Sequence, residues 1–237
     1  MQHVSNVIES RTKLISSAAT NGYLLTPERL HNLVKLGVTD YQITFDGDSD
    51  HHNLLRRKVD GSGSFDLIWS NILQSHNSDL PFEILIRIHA NKDNLESIRK
   101  LLKKTKACLE GDKRFKIWIY PLTRLGGRND YMLPFIKGHK DSVEIASLKR
   151  EVKELGLELF EQNTEPENIC PSAKLNSFVI RSDGRIGKCA IILEDEKNTV
   201  GRLLNDGTLE IDNSKLAWWG RGLLSGNVAE LYCPLRG

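Results

Sequence analysis

Two groups of residues have types and spacings that could do chemistry. The first is Tyr41-Gln-Ile-Thr-Phe-Asp-Gly47, preceded by Thr20-Asn21-Gly22 and followed by Arg56. It reads as a buried strand ending in polar residues, with a glycine turn and a basic helix start just beyond. Strands that end this way, set between helices, put functional groups at one rim of an α/β barrel. The second group is Cys170, Gly184 and Cys189, in the pattern C-x13-G-x4-C, with Cys233 later. Soft thiolates suit iron, and four of them complete a cubane iron–sulfur cluster. Three ligands fall short of that number, and buried structural thiols are the plainer alternative. Cys108 matches no pattern and reads as core.

Other chemistries lack their residues. A structural zinc site needs a close C-x2-4-C pair, which does not occur. Leu125-Gly-Gly127 is not the GxGxxG that cradles a pyrophosphate, and no P-loop is present. Asp46, Asp48 and Asp50 have alternate spacing, but the glycine and distal glutamate of a calcium-binding EF-hand are out of place. Adjacent side chains seldom share a metal, so His51 and His52 read as a helix entry.

Composition narrows the setting. The chain has 237 residues, 39% of them hydrophobic, enough for one sizeable core or two modest domains. Thirty-three basic and 31 acidic residues leave a net charge of +2, which argues for neither nucleic acid nor an anionic membrane as partner. Four cysteines do not make a disulfide-stapled scaffold. No apolar run approaches the ~20 residues of a membrane helix, and the N-terminus lacks a signal-peptide pattern. A cytoplasmic setting is expected. Oligomeric state is not readable.

These residues need elements to position them. Leu14 to Thr20 is small and apolar and turns at Asn21-Gly22. Thr26 and Pro27 open a helix that Gly37 ends. In the strand 41–46, Tyr41, Ile43 and Phe45 alternate with Gln42, Thr44 and Asp46. Ser64 is expected to cap a helix with Phe65, Ile68 and Ile72 on its inner face. Phe82, Ile84, Ile86 and Ile88 alternate with Glu83, Leu85, Arg87 and His89, before a helix over 93–106. Phe115, Ile117 and Ile119 alternate with Lys116, Trp118 and Tyr120, before a helix over 142–155 and a short strand, Leu157 to Phe160. Four successive strand–helix pairs predict a parallel sheet. One side is polar in three consecutive strands, whereas a lumen packed only for stability is rich in Val, Ile and Leu. A half-exposed open sheet would alternate in the same way. Gln42, Thr44, Asp46, Arg87, His89 and Tyr120 are expected to converge near the carboxyl ends of their strands.

The fold class is therefore α/β: a partial (β/α)6-type barrel of four or five units over 1–160, then a small domain over 161–237. Glu161 to Asn168, with Pro166, reads as the boundary. Asn176 to Arg181 and Arg185 to Cys189 read as a hairpin around Asp183-Gly184, and Asn205-Asp-Gly207 marks a further turn before Thr208 to Ile211. So few strands do not close a barrel of the usual size, and truncation is the expected reason, with 1–13 as the end of a preceding helix.

Together the two groups resemble the radical S-adenosylmethionine (radical SAM) family, in the branch with a C-terminal SPASM domain that binds auxiliary clusters. The resemblance runs through roughly 14–125 and 170–237. Thr20-Asn-Gly22 with Leu24-Leu25 is similar to the family's third strand and helix start, and Ile43-Thr-Phe-Asp-Gly47 to its fourth strand. His51, His52, Arg56 and Gly61-Ser-Gly-Ser-Phe65 continue the match. It implies that Asn21, Thr44 and Arg56 bind S-adenosylmethionine (AdoMet), with Thr44 and Arg56 on its amino-acid end. A carboxylate suits a bidentate arginine, and an ammonium suits oxygen acceptors. It also implies that Cys170, Cys189 and Cys233 serve an auxiliary iron–sulfur cluster, incomplete here because position 230 is Glu rather than Cys.

The resemblance implies radical-mediated modification of a peptide or protein substrate. The sequence departs from it in one respect: no CxxxCxxC occurs, the segment on which the family makes its radical. This chain alone is therefore expected to be inactive. The rival expectation is a degenerate, non-catalytic module that binds peptide or acts as a scaffold. An ordinary acid–base enzyme using His89 and Asp46 ranks last. Ala190 stands where sulfatase-maturing relatives carry an aspartate, which disfavours that substrate.

Overall fold

The computed structural model describes residues 14–124, 130–138, 142–161 and 169–235. The segment 1–13 and the polar stretch around Pro166 lie outside them. The chain divides into two compact units, Met1–Glu161 and Gln162–Gly237.

In the first unit, β1 (Ser17–Thr20) turns at Asn21-Gly22 into α1 (Pro27–Lys35). The Thr26 hydroxyl caps α1 by accepting from Arg29 N at 3.4 Å, and Pro27 occupies the first turn, where its missing N–H has no helical partner to lose. Then come β2 (Asp40–Phe45), α2 (Ser49–Leu55), α3 (Phe65–His76), β3 (Glu83–Ala90), α4 (Leu95–Leu109), β4 (Phe115–Pro121), α5 (Val143–Glu154) and β5 (Glu158–Leu159). The strands form one parallel sheet in sequential order, with β1 and β5 as its edges. Among the described residues the sheet is open, not a closed barrel.

Alternation along the strands assigns the two faces. Tyr41, Ile43, Phe45, Ile84, Ile86, Ile88, Phe115, Ile117 and Ile119 are buried in one core with Leu30, Ile68, Ile98, Leu101, Leu148 and Val152 of the helices. Each such side chain contributes about 1.5–3 kcal/mol on burial. Cys108 packs at the edge of this core, as expected. The opposite face carries the half-buried Gln42, Thr44, Glu83, Arg87, His89, Lys116, Trp118 and Tyr120.

Two local expectations are corrected. Arg56 does not start a helix; it is the C-terminal cap of α2, whose N-terminus Asp48 caps by accepting from His51 N at 3.2 Å. Ser64 flanks α3 but makes no capping bond; its hydroxyl instead donates to Arg56 O at 2.7 Å. The Asn53 side-chain oxygen takes its place, accepting from Phe65 N at 3.0 Å.

The second unit is an antiparallel sheet, β6 (Val179–Ile180), β7 (Arg185–Gly187), β8 (Thr199–Leu203) and β9 (Leu209–Ile211), with α6 (Asn213–Ser225) and α7 (Val228–Tyr232). The expected hairpin is β6–β7, turning at Asp183 and Gly184, the latter at φ +80°. Ile186, Val200 and Trp219 form its small core, and the Trp219 indole donates to Lys197 O at 2.9 Å. Among the described residues no helix is long and apolar enough to cross a membrane.

Candidate functional site

The polar end of β2 is held by long-range contacts. Asp46, only 5% exposed, accepts from Arg56 Nε on one carboxylate oxygen and lies 3.3 Å from His89 Nδ1 through the other. Asn94, at the start of α4, donates to Asp46 O at 2.7 Å and to His89 O at 2.8 Å, tying the ends of β2 and β3 together. Gly47 sits at φ +136°, and a Cβ there would fall 2.2 Å from Ser97 Oγ. That close approach lets Ser97 donate to Asp48 at 2.7 Å and accept from Asp48 N at 2.8 Å.

Burial alone would raise the Asp46 carboxyl. Hydrogen bonds from His89 and Arg56, with their charge, outweigh it and hold the group at about 2. An acid that strong is a poor proton acceptor near neutrality. The structure does bring His89 and Asp46 together, but as a fixed pair in which an ionised carboxylate orients an imidazole and a guanidinium.

Behind Arg56 lies a buried network. Ser64 commits its hydroxyl proton to Arg56 O, so His52 Nε2, 3.2 Å away, must be the donor to Ser64 Oγ. In the neutral ring this leaves Nδ1 unprotonated, and Nδ1 is buried without a partner. Phe45 and Phe65 pack against the ring at 5.2 and 5.6 Å. Burial drives the His52 pKa down to about 4; the nearby Asp46 charge raises it and Arg56 lowers it further.

Asn21 and Arg56 line one cavity of about 620 Å³ together with Tyr23, Ser64 and Ile68. The Asn71 side chain fixes the turn bearing Asn21, donating to Gly22 O at 2.9 Å and Tyr23 O at 3.2 Å. Thr44 is not among the residues lining that cavity. It lies half-buried on the inner face, on the opposite side from the helices and in register with Arg87. The groups that sequence reasoning missed are His52 with Ser64, and Asn94 with Ser97. The polar run Asn91-Lys-Asp-Asn94 after an apolar strand is the one signal that could have pointed to the latter pair.

In the second unit no cysteine is in a disulfide, and Cys170, Cys189 and Cys233 are half-buried. Cys170 N donates to Leu231 O at 2.9 Å, while Cys233 caps the end of α7, so their two segments meet. Cys189 follows β7 on a loop organised by Asn198, which accepts from Lys188 N and Cys189 N at 2.9 and 2.8 Å and donates to Cys189 O and Ile192 O at 2.8 and 3.1 Å. Among the described residues no group of three or more His, Cys, Asp or Glu is placed to hold a metal ion. A bound cluster therefore does not follow from this arrangement.

The first unit thus defines a class: an open parallel α/β sheet whose polar side chains meet at the carboxyl ends of β2 and β3. Solved structures share the fold. "Native anSMEcpe with bound AdoMet" matches at TM-score 0.60 and 17% identity, over 91% of this chain and 59% of that one. "Native anSMEcpe with bound AdoMet and Kp18Cys peptide" matches at TM-score 0.61 and 18% identity, over 91% and 60%. "Native anSMEcpe with bound AdoMet and Cp18Cys peptide" matches at 0.58 and 18%, over 87% and 58%. At this identity the likeness to these structures is one of fold, and that fold agrees with the one the sequence resemblance implies. The chain spans about three-fifths of the length of the first of them. No family profile and no curated protein matches the chain.

Proposed function

We propose that this chain is part of a radical SAM/SPASM protein that modifies a peptide, and that the rim of its first unit holds the amino-acid end of AdoMet. The observation that carries this is Arg56, tied through Nε to a buried, ionised Asp46 and lining a cavity with Asn21. The pairing aims the guanidinium and leaves its outer edge suited to a carboxylate. Asn21 offers an amide at the same cavity, and Thr44 a hydroxyl two residues before Asp46. The solved neighbours are described with AdoMet and peptide bound, which supports carrying both to this chain.

When bound, AdoMet would supply the radical chemistry of the reaction, which this chain's residues do not themselves provide. The residues of this chain bind and orient. Arg56 fixes the carboxylate end, Asp46 and His89 keep Arg56 in place, and Asn94 keeps both strand ends in register. Cys170, Cys189 and Cys233 are proposed as thiolate ligands toward an auxiliary cluster, a set that the described residues do not complete.

Equilibrium dialysis with labelled AdoMet tests the proposal. The wild-type chain should bind saturably at up to millimolar ligand. Arg56→Ala should weaken binding at least tenfold and Arg56→Lys less, because a point charge cannot reproduce the fork. No saturable wild-type binding, or an unaltered Arg56→Ala variant, would overturn it.

A further inference from the structure

The inner face holds a second cation that the proposed function does not use. Arg87 lies on β3, in register with Thr44 of β2 and Trp118 of β4. Its guanidinium carbon is 3.8 Å from the Tyr120 ring centre and 5.0 Å from that of Trp118. Its Nε is buried with no hydrogen-bond partner.

The other charges on this face are matched. Lys116 pairs with Glu83, and Asp46 takes Arg56 and His89. No carboxylate among the described residues pairs with Arg87. An arginine stays charged at any physiological pH, and partly desolvating that charge without a counter-charge is destabilising. Aromatic faces offset part of that by cation–π attraction. Burial lowers the Arg87 pKa; Tyr120 opposes this, and the charge of Arg56 adds to it. With Arg56 paired to Asp46, the Arg87 charge is the one on this face without a carboxylate among the described residues.

The surroundings of Arg87 are aromatic. Trp118 packs against Tyr120 and Phe160 with ring centres 5.0 and 5.5 Å apart, forming an aromatic wall beside Arg87. Arg56 and Asn21 lie toward β1 and β2, whereas this wall belongs to β4 and the residue after β5. We propose that Arg87 is a specificity-determining residue that takes a carboxylate of the peptide substrate, with the substrate's apolar body on Trp118, Tyr120 and Phe160. The proposal rests on the reading that AdoMet occupies the Arg56 side of the same face. A carboxylate on the terminal guanidinium nitrogens would supply the counter-charge.

The test uses the full chain, labelled with nitrogen-15. The Arg87 Nε–H signal is identified by its loss in Arg87→Met, and N-acetylphenylalanine or N-acetylphenylalaninamide is titrated with and without AdoMet. The carboxylate should move the signal saturably in the presence of AdoMet, at least tenfold more tightly than the amide. Dialysis should show AdoMet binding unchanged in Arg87→Met. Equal responses to acid and amide, or none, would overturn the proposal. So would AdoMet alone moving the signal and then blocking the acid, which would assign Arg87 to the cofactor. Failure of AdoMet to bind at all defeats the Arg56 reading separately, because the acid titration without AdoMet still reports on Arg87.

Discussion

His52 should make the first unit lose stability as pH falls from about 6.5 toward 4. Its ring is fully buried against Phe45 and Phe65, donates through Nε2 to Ser64, and presents Nδ1 to no acceptor. Protonation must put N–H at Nδ1, where nothing accepts it. The folded pKa, about 4, lies below the ordinary 6.5. Between those values the unfolded chain binds the proton and the folded one does not, so stability rises with pH across the interval. Stability is complete above about pH 6.5 and is lost as pH falls toward 4. At about 1.4 kcal/mol per pH unit, the full loss is about 3 kcal/mol. The assay is hydrogen exchange of the Ile43 and Ile86 amides, with urea unfolding, at pH 4 to 7.5 for the wild type and His52→Gln. Glutamine can keep the donation to Ser64 and does not titrate. The difference between the two proteins should change by about 3 kcal/mol across the range. A difference that stays constant would refute the buried neutral imidazole and the tautomer assigned to it.

Gly47→Ala should destabilise the first unit by about 2–4 kcal/mol, because the left-handed backbone strains any L side chain and the new methyl meets Ser97. Thermal unfolding of Gly47→Ala and Gly47→Ala/Ser97→Gly checks it, the second change relieving the contact; a loss under about 0.5 kcal/mol in the single variant would contradict the geometry. Asn198→Ala should cost the second unit about 3 kcal/mol by leaving two N–H and two C=O groups without their partner. Exchange of the Cys189 amide should accelerate in step, and unchanged protection would count against that role. After iron and sulfide reconstitution, the chain with dithionite and AdoMet should form no 5′-deoxyadenosine above a no-protein control, since no CxxxCxxC is present; sustained formation would show otherwise.

Much of the frame could be read directly from residue order. Period-2 alternation of Ile84, Ile86 and Ile88 with Arg87 and His89 depends only on local backbone geometry, so it assigned the buried and polar faces before any partner was known. The same holds for the Thr26-Pro27 helix start and the Asp183-Gly184 hairpin, where the residues that set the conformation are adjacent. Tertiary structure alone decided the partners. Asp46 meets His89 from another strand, Asn94 reaches back 48 residues to Asp46 O, and Ser97 reaches 49 to Asp48. Ser64 has the residue type of a cap, yet its hydroxyl bonds Arg56 O, a partner eight residues back, and Asn53 accepts from Phe65 N. His52 read as a helix entry because burial depends on what packs over a residue, here Phe45 and Phe65. Arg87 was legible as an inward-facing cation. Its unpaired Nε was not, because lacking a partner is a property of the whole surrounding face, whereas facing inward is a property of one strand.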